Sequence, residues 1–342
     1  MRLILDPAED AAHGAWLRTA AGAYEWWYFD ALSDDGRWAL TCIWFLGNPF
    51  SPYYRLTSLG RTADPFAHNA LFFALYRDGQ LYAYHFTRFD ASMVCADETR
   101  PATLRFGPND LSSVPGRYHL RLADVNGNGR RLDAELIFNA PPLVAESIVG
   151  QSEGDGHCWL PAAPACRVRG EIALSEVQNT VGERIRFTGQ GYHDHNWGAL
   201  PFSAQIRDWY WARVALGEQD ALIVYHVEYH HGPPVSHLLC FEEGRLVLHD
   251  ASANVTLGRR RRNAFGTGYA TQINVRSGDL SATVRLGARL DSAPFYIRTL
   301  CDADVTQGGR TRRGRGVGEY FRPRMLSWAL TASATRARIV MR

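Results

Sequence analysis

The sequence predicts an all-β protein made of two antiparallel β-barrel-like domains in tandem. Three observations carry this. Runs of alternating apolar and polar residues recur along the chain, the period that gives a strand one buried face. Gly, Asn and Asp turns join those runs at short spacing, as in antiparallel hairpins. Helical periodicity is scarce.

In chain order, EWWYFDALSDDG (Glu25 to Gly36) puts Trp26 and Tyr28 on one face and Trp27 and Phe29 on the other, so it reads as a strand buried on both sides. Arg37 to Leu46 reads as a buried strand. Ala70 to Arg88 reads as a hairpin turning at Asp78-Gly79, and Tyr118 to Phe138 as one turning near Asn126 to Gly129. Trp209 to Tyr229 pairs two strands around Gly217. Leu238 to His249 turns at Glu243-Gly244, and Ala270 to Leu290 at Ser277 to Asp279. The Arg259 to Arg262 run reads as a solvated loop. A Pro- and Gly-rich stretch, Gly150 to Pro164, divides the chain, giving expected domains 1–164 and 165–321.

Residues 322–342 carry Met325, Leu326, Trp328, Leu330, Ile339 and Val340 with five Arg and no acid. Such a basic, apolar tail suits either packing on its own barrel or peripheral contact with an anionic membrane surface. The start, MRLILDPAED, is too short and acidic for a signal peptide, and no apolar run reaches about 18 residues. The expected location is cytoplasmic, with the tail as the route to peripheral contact with the inner membrane.

Composition narrows the chemistry. A net charge of +2 gives no global field for nucleic acid. There is no lysine, which excludes a Schiff base and a P-loop lysine. No GxGxxG stands in a strand-turn-helix setting, so no dinucleotide site is expected. The six cysteines form no CxxC and no regular framework, which favours reduced thiols.

Two short motifs carry the chemistry: His157-Cys158-Trp159 and Tyr192-His193-Asp194. In a strand, His157 and Trp159 share a face, as do Tyr192, Asp194 and Asn196. An Asp194 aimed into an apolar barrel would have its anion disfavoured and could act as a general acid. Tyr192 can donate a hydrogen bond and offer a π face, and Trp159 offers the strongest cation-binding face. His157 could orient Asp194 or take a proton from water. Trp27, Trp197, Trp211 and Tyr225 are further candidates for lining the pocket. The competing reading is a hydrogen-bonded Asp and His that only brace two strands. His193, His195, His226, His230 and His231 raise a zinc alternative, but no Cys pairs with them and no HExxH occurs, so no metal is expected.

These residues also carry a resemblance. GAYEWWYFDALSDDGRWALTCIWFLGNPFSPYY (Gly22 to Tyr54), ADPFAHNALFFALY (Ala63 to Tyr76), HCWLPAAPACRV (His157 to Val168), GQGYHDHNWG (Gly189 to Gly198), RDWYWAR (Arg207 to Arg213) and APFYIR (Ala293 to Arg298) follow one another as in the carotenoid 1,2-hydratases, or hydroxyneurosporene synthases. The chain resembles that family over most of its length. The resemblance implies paired lipocalin-like barrels and addition of water across a terminal isoprenoid C=C. It also implies a proton from Asp194, supported by Tyr192, His157 and Trp159, without a cofactor. Two features depart from the family pattern. Asp194 is followed by His195-Asn196-Trp197-Gly198 rather than Ser-Asn, a form more similar to the wider superfamily that includes Diels–Alder-type cyclases. The gap between the two site motifs is also longer, with extra residues around Ser175 to Arg184. The sequence leaves three outcomes open: hydration, cyclisation by proton or pericyclic route, and non-catalytic binding of a lipid or carotenoid.

Overall fold

The structure is a computed structural model of the 342-residue chain. It describes all residues except 7–9, 11–20, 55–63, 98–101, 142, 144–155, 202–204, 328–339 and 342. Its strands are β1 (Arg2–Leu3), β2 (Tyr24–Ser33), β3 (Trp38–Leu46), β4 (Asn69–Arg77), β5 (Gln80–Phe89), β6 (Val94–Asp97), β7 (Ala102–Phe106), β8 (Asn109–Val114), β9 (Arg117–Val125), β10 (Arg130–Asn139), β11 (Cys158–Glu176), β12 (Asn179–Gly198), β13 (Ile206–Ala215), β14 (Ala221–Tyr229), β15 (Val235–Glu242), β16 (Arg245–Asp250), β17 (Asn254–Arg262), β18 (Gly268–Ser277), β19 (Leu280–Ser292), β20 (Tyr296–Gln307), β21 (Arg310–Phe321) and β22 (Val340–Met341).

The all-β class is what the chain adopts, as two barrel-like sheets. The first runs β22-β5-β4-β3-β2-β12-β11-β10-β9-β8-β7-β6, with β1 parallel to β11. It curls until Thr87 and His85 of β5 meet Asp124 of β9 across the gap. The second runs β16-β15-β14-β13-β21-β20-β19-β18-β17. The hairpins read from the sequence all form. At Asp78-Gly79 and Glu243-Gly244 both central residues have positive φ, the backbone of the tight hairpin turns.

The sheets part between Gly198 and Ile206, not at 164. The Pro-rich stretch misleads because Pro161 and Pro164 lie inside β11. The register of β11 against β12 shifts at Leu160/Ala163 and Ala163/Cys166, and such bulges accommodate a residue with no N–H. The Arg259 to Arg262 run is also a strand rather than a loop: it ends β17, an exposed edge strand whose charge blunts pairing with another chain.

Three cores follow from strand alternation. Trp27, Phe29, Trp44 and Phe73 fill the first barrel. Tyr210, Val214, Leu222 and Val224 fill the second. The opposite faces of the same central strands pack on each other between the sheets, through Trp26, Tyr28, Phe72, Trp159, Trp211 and Tyr225. The described part of the tail belongs to this assembly. Leu326 is buried between the sheets, and Val340–Met341 pairs parallel with Thr87 and Arg88 of β5. Trp328, Leu330 and Ile339 lie outside the described residues. The six cysteines are free thiols. Among the described residues no helix is long and apolar enough to cross a membrane.

Candidate active site

The space between the sheets holds a cavity of about 220 Å³. One wall is a row across the first sheet, in register Asp194, Tyr28, Ile43, Phe72 and Phe86 from β12 to β5. The facing wall is a row across the second, Tyr225, Trp211, Glu319 and Arg298 from β14 to β20. Trp26, Asn196 and Trp209, two residues along their strands, extend the lining. Phe265, also lining and 49% exposed, marks the mouth.

Asp194 stands at the cavity with 6% of its surface exposed. Its Oδ2 accepts the Tyr192 hydroxyl at 2.9 Å and the Trp159 indole N–H at 3.0 Å, and its Oδ1 accepts Asn196 Nδ2 at 2.7 Å. Burial outweighs these donors and pushes its carboxyl up to about 8, with the charge of Glu319 adding to the rise. Both lone pairs of Oδ2 are taken by donors, so Oδ1 is the oxygen left to carry the proton. Trp159 Nε1 also lies 3.3 Å from the Tyr192 hydroxyl, so acid, phenol and indole form one closed set.

Neither Tyr192 nor Trp159 lines the cavity; both support Asp194 from behind. His157 is not bonded to Asp194. Its Nδ1 lies 3.1 Å from the Tyr24 hydroxyl and its Nε2 3.3 Å from that of Tyr225, and it stacks on Trp26. Burial, then the N-terminal ammonium, pushes it down to about 3, so it is a neutral ring that sets Tyr225, a wall residue.

Of the expected lining residues, Trp211 and Tyr225 are at the cavity, but Trp27 and Trp197 are not. Both indoles point into the first barrel, because alternation along β2 and β12 sends them to the face opposite Tyr28 and Asp194. The sequence reading missed Trp26, Tyr28, Arg298 and Glu319. The i, i+2 spacing of Trp26 and Tyr28 was the available signal; nothing in the chain announced that β21 would face β12.

The five histidines of the zinc alternative are not gathered at one point, although His193 Nε2 and His195 Nδ1 lie 3.3 and 3.5 Å from the same Asp10 Oδ1. His193 bonds Tyr28 O and Asp10, and His195 bonds Glu25, inside the first barrel. His226 bonds Ser236 on the second sheet, and His230 and His231 are exposed. Among the described residues no group of three or more His, Cys, Asp or Glu is arranged for a metal ion. Both departures from the family pattern also fall away from the cavity. His195 and Trp197 face the first barrel, and Ser175 to Arg184 forms the far end of the β11–β12 hairpin, roughly 30 Å along the strand from Asp194.

Fold and site together define a two-sheet β protein with a buried, proton-holding carboxyl at an apolar, aromatic cavity. The chain belongs to the carotenoid hydratase family CrtC, whose sequence profile matches residues 42–324. It is accordingly an enzyme of the hydro-lyase class. It is 28% identical to the hydroxyneurosporene dehydrogenase of Chlorobaculum tepidum, over 96% of this chain and 91% of that protein. It is 31% identical to the acyclic carotenoid 1,2-hydratase of Thiocapsa roseopersicina, over 84% of this chain and 66% of that one. Among solved structures, an AttH protein of Nitrosomonas europaea superposes with a TM-score of 0.62 at 19% identity, covering 92% of this chain and 95% of that one, a likeness of fold.

Proposed function

We propose that this protein adds water across a terminal C=C of a long, apolar, carotenoid-like isoprenoid, using its own side chains and no cofactor. The observation that carries the reading is Asp194, whose carboxyl burial pushes up to about 8 at an apolar cavity. Its proton goes to the less substituted alkene carbon and leaves a tertiary cation. Tyr28, Trp26, Trp209, Trp211 and Tyr225 present aromatic surface to that charge. Tyr192 and Trp159 hold the carboxylate that remains, and water captures the cation. A volume of about 220 Å³ suits one end of such a chain, the remainder leaving past Phe265.

Asp194→Asn tests the reading with lycopene as probe. Alcohol formation is expected to fall at least about 100-fold, the scale of a lost general acid, with lycopene binding retained. Unchanged alcohol formation would remove Asp194 from the role of acid. In ¹⁸O-labelled water the product is expected to carry the label; an unlabelled cyclic product would show that an internal alkene captured the cation. Membrane contact by the basic, apolar tail, residues 322–342, is a further part of this proposal. Deleting them is expected to reduce co-sedimentation with anionic vesicles.

A further inference from the structure

The cavity wall contributed by the second sheet carries polar groups that make no hydrogen bond to Asp194. Glu319 is 8% exposed and Arg298 2%. They are register partners on β21 and β20, joined by Arg298 Nε to Glu319 Oε1 at 3.1 Å; Tyr296 donates to the same oxygen. Asp291 Oδ2 lies 3.5 Å from Arg298 Nη1. The group is therefore one cation between two carboxylates, net negative, and it faces the cavity.

Its bonding is incomplete on the cavity side. Arg298 Nη1 is buried and makes no hydrogen bond beyond its 3.5 Å ion pair with Asp291, and Arg298 lines the cavity. Glu319 Oε2 accepts none from a described residue. A buried carboxylate oxygen at the cavity with no donor of its own, beside a cation already shared by two carboxylates, is a place for a small hydrogen-bonding guest. A bracing ion pair between two strands would not need that open oxygen.

We propose that Glu319, with Arg298 beside it, holds the attacking water and takes up its proton. This rests on the acid-initiated reading above and adds its second half. In the first step the Asp194 O–H bond breaks, the alkene π pair forms a C–H bond, and the tertiary carbon is left cationic. In the second, a lone pair of the held water forms the C–O bond while one O–H electron pair returns to oxygen and that proton passes to Glu319. The sum is alkene plus water giving alcohol. Asp194 ends ionised and Glu319 protonated, and one proton exchanged through water resets both. Lying across the cavity, the net negative group also stabilises the cation between the two walls, and its charge helps Asp194 hold its proton.

The test separates the two steps. With lycopene in D2O, Glu319→Gln is expected to cut alcohol formation at least about 100-fold. Deuterium should still enter the recovered alkene, because Asp194 continues to protonate it reversibly. Asp194→Asn should lose both. Glu319→Asp keeps the charge beside Arg298 but withdraws the carboxylate. It is the companion variant should Glu319→Gln not fold, and the same split is expected of it. Alcohol formed at the wild-type rate by either variant would overturn the proposal. So would loss of exchange together with alcohol in a variant that still binds lycopene. If Asp194→Asn keeps making product, the acid-initiated reading itself is at fault.

Discussion

A carboxyl that works as an acid is useful only while it keeps its proton, so the pH profile reads Asp194 directly. With its carboxyl pushed up to about 8, the neutral, working form is full below that pH and lost above it. The alkaline limb of kcat/KM is therefore expected near 8. A limb near 4, the ordinary carboxylate range, would remove Asp194 from the role. The Trp159 N–H and Tyr192 hydroxyl favour the anion and hold this value down. Trp159→Phe removes one donor while keeping an aromatic ring, so its limb is expected to move above that of the wild type. The candidate acid and its two supports were legible because an i, i+2 motif fixes a shared face in any strand. What could not be read was that His157 serves Tyr225 rather than Asp194, since that contact joins residues 68 positions apart, one just before β11 and the other on the second sheet.

At the scale of the element, β12 must lie close to β2 to aim Asp194. Gly189 pays part of the way: a Cβ there would stand 2.1 Å from the Leu32 carbonyl oxygen, so the two strands meet at a distance only glycine allows. Gly189→Ala is expected to destabilise the fold by about 1–3 kcal/mol, the usual cost of overpacking, measured by urea denaturation. A change within about 0.5 kcal/mol would mean that the strands part freely. Hairpins were readable wherever a Gly or Asn turn joined alternating strands. β11 was not, because two prolines ordinarily argue against a central strand and only a bulged register admits them.

At the scale of the molecule, the two sheets are fastened by a buried pair. Arg213 of β13 donates its Nε to Asp30 Oδ1 of β2 at 2.8 Å, and Tyr28 donates to Asp30 Oδ2 at 2.9 Å. On one side of this pair is the apolar cavity; on the other an open polar groove is lined by Ser33, Gln190, Arg213 and Arg315. Arg213→Ala would strand a buried carboxylate, and a loss of about 3–5 kcal/mol is expected in chemical denaturation. Replacing both partners with apolar residues should recover much of it, and failure to do so would mean the pair does more than neutralise itself. That the two sheets would face each other across the site was invisible in the sequence, since strand alternation states that a face is buried without saying against what. The division of the walls has an evolutionary consequence. The acid and its supports come from residues before Gly198, while Trp211, Tyr225, Arg298 and Glu319 come from residues after Ile206. On the acid-initiated reading proposed above, mutations in the second half act directly on the capture of the cation and reach the acid only through the charge of Glu319, so one inherited initiation step can be tried against many endings.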